Sequence, residues 1–91
     1  MDLDELRQRI DEIDDSLVDL IQRRMGISAE IALYKQANNM PVYDPERERQ
    51  KLLSLSDKAS DGCKAYINAL YTLMFELSRA EQEKVLTETR R

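Results

Sequence analysis

From Leu3 to Tyr34 the apolar residues of this chain recur in alternating steps of three and four. They run Leu3, Leu6, Ile10, Ile13, Leu17, Leu20, then position 24, Ile27, Ile31 and Tyr34. Such a repeat, about 3.5 residues on average, keeps one apolar seam along an α-helix and predicts packing against another helix. Asp2, with Glu5 three residues later, reads as a capping box at its start. The pattern stops at "ANNMP", where Asn38 or Asn39 suits the left-handed C-cap and Pro41 forbids continuation. A helix of roughly 35 residues is about 50 Å long. A compact globule of 91 residues has a radius of gyration of only about 12 Å. The rest of the chain cannot cover such a helix, so a second copy is expected along the seam.

Two glycines and two prolines leave little for turns or sheets, and strong helix formers dominate. The chain reads as all-α, one domain over residues 1–91 with three helices. Helix 2 is expected from about Pro45 to Ser56, with Leu52, Leu53 and Leu55 as its apolar share, and "SDKASDG" as the connection. Helix 3 is expected from Ser60 or Asp61 into the high eighties, with Ile67, Leu70, Tyr71, Met74, Leu77 and Val85 as its apolar face. The tail "TETRR", from about residue 87, has no periodicity and is expected to fray.

The single cysteine, Cys63, excludes an internal disulfide and reads as a small packed residue. With no histidine, His-based triads and the usual zinc sites are excluded. A reducing compartment, the cytoplasm, is the simplest setting. "MDLDELRQ" is acidic and lacks the apolar core of a signal peptide, and no run reaches membrane-spanning length. The net charge of −4 argues against nucleic acid as a partner.

Polar residues that interrupt these faces carry the functional signal. Arg24 occupies a seam position, and a buried guanidinium needs an anionic partner. Lys35 follows after about three turns, so Arg24, Ile31 and Lys35 share a face. On helix 3, Ser78 and Gln82 continue the face of Met74. Asp44 and Pro45 read as N-cap and first residue of helix 2, which puts Arg47 in the first turn, where the helix dipole disfavours a cation. An anion bound there resolves the conflict. Arg7 lies about 25 Å along the helix from Arg24. If two copies of helix 1 cross antiparallel near residue 18, Arg7 of one comes level with residue 29 of the other. Arg7, Arg24, Lys35 and Arg47 then surround one pocket, with Ser78 and Gln82 as neutral hydrogen-bonding groups. Four cations gathered in a negative chain point to a small ligand with two carboxylates. Local explanations stand beside this one. Arg7 has Asp4 and Asp11 at ion-pair spacing, Ser78 has a carbonyl one turn back, and Gln82 has solvent. Asp44 suits a plain N-cap, and Glu48, Arg49 and Lys51 suit solvated surface charges.

The segments "LRQRIDEID", "LIQRRM", "IALYK", "PVYDPERE" and "ELSRAEQ" together resemble the all-helical chorismate mutases, from about Leu3 to Leu86. A lysine, a short proline loop, D-x-x-R-E and then S-x-x-x-Q on the last helix form the specific part. The resemblance implies an intertwined homodimer that rearranges the chorismate dianion to prephenate in aromatic amino acid biosynthesis, without covalent catalysis, metal or cofactor. It implies that Arg7 reaches into the partner's site to pair with a carboxylate. Arg24 would bind a carboxylate within the chain, and Arg47 would position that end. Lys35 would bridge a carboxylate and the ether oxygen, and Gln82 would donate to the same oxygen. Ser78 would assist a carboxylate, and Glu48 would hold the ring hydroxyl with Asp44 close by. Two alternatives remain at this point: a pyruvate-releasing lyase acting on isochorismate, and a helical dimerisation module without catalysis.

Overall fold

Asp2 starts the first helix as read from the sequence: its carboxylate accepts from the Glu5 backbone N–H at 2.8 Å. The structure, a computed structural model, describes residues 2–89. Helix α1 (Leu3–Ala37) is followed by α2 (Pro45–Lys58), a short 3₁₀ turn (Asp61–Cys63) and α3 (Lys64–Thr89). At the end of α1, Asn39 takes the left-handed conformation with φ 55°. The Met40 N–H then bonds to the Lys35 carbonyl at 2.8 Å and the Asn39 N–H to the Gln36 carbonyl at 3.3 Å. These two bonds close a Schellman motif and satisfy carbonyls the helix leaves open. Asp44 caps α2 by accepting from the Arg47 N–H at 3.0 Å, with Pro45 at the first helical position.

α1 and α2 each pack on α3. The molecule is long, with a largest extent of 54 Å and a radius of gyration of 16.5 Å. That exceeds the value of about 12 Å for a compact chain of this size. The cause is the seam. Leu3, Ile10 and Ile13 are 59%, 58% and 60% exposed, and none of the seam residues of α1 is buried. α1 meets α3 through a different, smaller-residued face, on which Ser28 and Ala32 are buried. Small side chains let the helix axes approach closely.

Three expectations are corrected. The buried face of α3 is Phe75, Ser78, Gln82 and Leu86, whereas Leu70 and Leu77 are exposed. α3 carries a second apolar stripe, Tyr66, Leu70, Leu73 and Leu77, that faces outward, and periodicity alone cannot rank two stripes. Cys63 is exposed in the 3₁₀ turn rather than packed. The frayed tail expected from about residue 87 is helical as far as Thr89. There the Thr87 hydroxyl donates to the Glu83 carbonyl at 2.9 Å, and that of Thr89 to the Leu86 carbonyl at 3.0 Å. Arg90 and Arg91 lie outside the described residues. Among those described, no helix is long and apolar enough to cross a membrane.

Candidate active site

Each helix contributes a ladder of side chains to one cavity of about 490 Å³ between them. Arg24, Ser28, Ile31 and Lys35 come from α1, at the spacing of one helix face. Asp44, Arg47, Glu48 and Lys51 come from α2 and its cap, and Phe75, Ser78, Arg79 and Gln82 from α3. The structure thus brings together Arg24, Lys35, Asp44, Arg47, Glu48, Ser78 and Gln82, all singled out from the sequence. Arg7 is not among them; it is exposed in the first turns of α1. The local alternative for Arg7 is also absent: no ion pair joins it to Asp4 or Asp11 among the described residues.

Five cations and two acids line the cavity, although the whole chain has a net charge of −4. The cations are held by different means. The Arg24 guanidinium carbon lies 5.9 Å from the Tyr71 ring centroid and 6.0 Å from that of Phe75. The chain itself supplies no anionic partner: no ion pair reaches Arg24 among the described residues. Aromatic faces hold it instead, at a cost in charge compensation that an anionic ligand would offset. Lys35 donates to the Val42 carbonyl at 2.9 Å. An ammonium has three N–H groups, so two remain for other acceptors.

The neutral wall is built from buried groups. Ser28 and Ser78 share a hydrogen bond of 2.6 Å between their hydroxyls. One proton serves that bond, and the second hydroxyl proton is available to a third partner. Among the described residues no hydrogen bond joins the Ser78 hydroxyl to a carbonyl of its own helix. Gln82 is only 7% exposed, and its Oε1 is buried without a hydrogen-bond partner among the described residues. Leaving such an atom unpaired costs about 1–3 kcal/mol. Packing alone does not account for an amide in that place.

The sequence reading missed Ser28, Arg79 and Phe75 and took Lys51 for a solvated charge. Ser28 sits one turn after Arg24, and Arg79 lies between Ser78 and Gln82, so both positions were marked by their neighbours. Arg79 Nη1 donates to both carboxylate oxygens of Glu48, with 2.6 Å to Oε2. Its guanidinium carbon stands 4.7 Å from the Tyr43 ring centroid. The hydrogen bonds that Arg79 donates to Glu48 raise its pKa above the ordinary value, against the opposing effect of desolvation. On the outer side of α2, Arg49 pairs with Glu46 at 2.6 Å in solvent, as a surface charge should.

A cavity of this size, cationic on three sides and with a buried neutral amide, has the chemistry to suit a small organic dianion. Residues 6–83 match the Chorismate mutase type II family. The chain belongs to that family of isomerases. It is 31% identical over 94 residues to the chorismate mutase of Methanocaldococcus jannaschii, covering 96% of this chain and 90% of that one. It is 36% identical over 90 residues to the bifunctional chorismate mutase/prephenate dehydratase of Buchnera aphidicola, covering 96% of this chain and 23% of the larger enzyme. A third relative, the 4-amino-4-deoxychorismate mutase of Streptomyces pristinaespiralis, is 33% identical over 84 residues, with 89% of this chain and 65% of that one covered. No solved structure matches the chain.

Proposed function

We propose that this chain rearranges chorismate to prephenate, with the cavity between α1, α2 and α3 as its active site. The observation that carries this reading is the meeting of Lys35 and buried Gln82 in one cavity whose cations outnumber its acids. The rearrangement is intramolecular and needs no nucleophile, general base or metal. The ether C–O bond breaks ahead of full C–C bond formation, so negative charge grows on the ether oxygen. Lys35 and Gln82 donate to that oxygen, and donors fixed there bind the transition state more tightly than the ground state. Arg24 and Arg47 grip the carboxylates with help from Ser78, and they hold the enolpyruvyl arm over the ring. Glu48, with Asp44 close by, accepts from the ring hydroxyl. A millionfold acceleration requires about 8 kcal/mol, which a few such donors and conformational restriction supply.

The site is completed by a second copy. The exposed seam of α1 supports an antiparallel partner, and the outward stripe of Tyr66, Leu70, Leu73 and Leu77 on α3 gives it further apolar surface to cover. The partner's Arg7 then reaches the cavity between Arg24 and Lys35 and pairs with a carboxylate. We place the reaction in the cytoplasm, where the exposed thiol of Cys63 stays reduced. The mutases among its relatives favour this reaction over loss of pyruvate from isochorismate and over dimerisation without catalysis.

The test is chorismate consumption followed by ultraviolet absorbance. Wild type turns chorismate over. Lys35→Ala and Gln82→Ala each lose about 10²–10³ in kcat while remaining folded and dimeric by sedimentation. A folded dimer that leaves chorismate unchanged refutes the proposal. Because a glutamine amide donates at any ordinary pH, the wild-type rate is flat around neutrality, and Gln82→Glu moves the optimum to acid.

A further inference from the structure

Arg79 belongs to neither the gripping arginines nor the ether-oxygen donors. It sits on α3 and joins Glu48 on α2, 31 residues away in sequence. The two side chains are 31% and 23% exposed, so the pair is half-buried between helices. Tyr43, from the loop before α2, presents its ring to the guanidinium. Together these contacts fix the Glu48 carboxylate in the wall of the cavity that also holds Arg24, Lys35 and Arg47.

A carboxylate in that wall poses an electrostatic problem. The reading under Proposed function, on which this inference rests, brings two further carboxylates into the same space. A bare Glu48 would repel them, and a half-buried like-charge contact disfavours the ionised forms. Paired with Arg79, Glu48 contributes no net charge. It still has bonding capacity: a carboxylate offers about four acceptor positions, and Nη1 occupies one on each oxygen. An ion-paired carboxylate can accept from a ligand O–H or N–H but cannot donate to a ligand carbonyl or carboxylate. We infer that Arg79 is a positioning residue that holds Glu48 as a charge-balanced, permanent acceptor, and so selects a dianion with a hydrogen-bond donor on its ring. The pair makes the ring end of the cavity neutral while the arginines on α1 and α2 keep the other end cationic.

The experiment is a double-mutant cycle on chorismate turnover with Glu48→Gln, Arg79→Gln and the pair combined. Arg79→Gln leaves Glu48 charged and unpaired, and kcat/KM falls about 100-fold, mostly through KM. The double variant removes the stranded charge and returns to the level of Glu48→Gln alone, better than Arg79→Gln. Arg79→Lys keeps the charge on a slimmer stem and loses less than about tenfold. Helix content and sedimentation are followed in parallel. Losses that multiply in the double variant, or Arg79→Lys as poor as Arg79→Gln, overturn the inference, because Arg79 would then act directly on substrate or only on the fold. An inactive wild type is a different result: it sinks the functional reading, and the inference falls with it.

Discussion

The two halves of α1 carry one heptad pattern and meet opposite fates. From Asp2 to Arg23 every residue is exposed, including all the apolar seam positions. From Arg24 onward the helix packs on α3, with Ser28 and Ala32 buried and Arg24, Met25, Ala29 and Lys35 half-buried. Yet, Arg24 apart, the residues that meet α3 are not the seam. Ile27 and Ile31 remain largely exposed beside buried Ser28 and Ala32. The helix uses small and polar residues for its own chain and keeps its large aliphatic ones for something else. The division separates two tasks. The packed half holds the cavity, and the bare half presents a long apolar surface and the guanidinium of Arg7.

The largest effect should come from breaking the bare half. In an isolated chain Leu17→Glu is a surface change worth within about 0.5 kcal/mol. Covered by a partner, it buries an unpaired charge and costs several-fold more, about 3 kcal/mol or above. Among the described residues the buried apolar core of one chain is Ala32, Phe75 and Leu86, so a separated chain should not hold its fold. The expected outcome is loss of the dimer by sedimentation, loss of helix by circular dichroism, and a wild-type Tm that falls on dilution. A Leu17→Glu chain that keeps its helix and Tm would show that the halves differ for some reason other than a missing partner.

Next comes Arg7. Among the described residues no ion pair or hydrogen bond engages its side chain, so Arg7→Ala should be silent unless the bare half delivers it elsewhere. We expect a loss of kcat/KM of about 100-fold with dimer and Tm unchanged. Complementation sharpens the point. Equal amounts of Arg7→Ala and Lys35→Ala chains, refolded together, form mixed dimers with one intact site each, and about a quarter of wild-type activity returns. No recovery would place Arg7 and Lys35 in the same chain's site.

The same contrast explains how much the sequence disclosed. The seam announces that α1 packs against a helix, because a 3.5-residue repeat of large apolar residues has little other use. It does not say which contact lies within the chain. Ser28 and Ala32 make that contact with no apolar signature, because close approach of helices selects small residues. For the cavity, Arg24, Lys35, Ser78 and Gln82 were legible because each violates an apolar pattern. Arg79 and Lys51 were not, because a cation on a helix that could equally face solvent violates nothing. Tyr43, without any reading in the sequence, gains one only from the guanidinium beside it.

The smallest effects compare one polar contact from each half. In the bare half, Arg23 and Asp19 approach to 3.7 Å at i,i+4, with side chains 69% and 67% exposed. Such a pair gains little Coulomb energy in water and orders two mobile side chains, so Asp19→Asn should change stability by no more than about 0.5 kcal/mol. In the packed half, Ser28→Ala leaves the buried Ser78 hydroxyl without its 2.6 Å partner. Ser78 can turn to a carbonyl of α3, which returns part of the loss, and a net cost of about 1 kcal/mol is expected. For a chain of this size that lowers Tm by about 4–8 °C. The catalytic readout should differ as well. Ser28→Ala removes the partner that orients the Ser78 hydroxyl, so KM for the dianion rises, while Asp19→Asn leaves KM unchanged. Equal Tm shifts for the two variants would mean that the half of α1 in which a contact sits has no bearing on its worth.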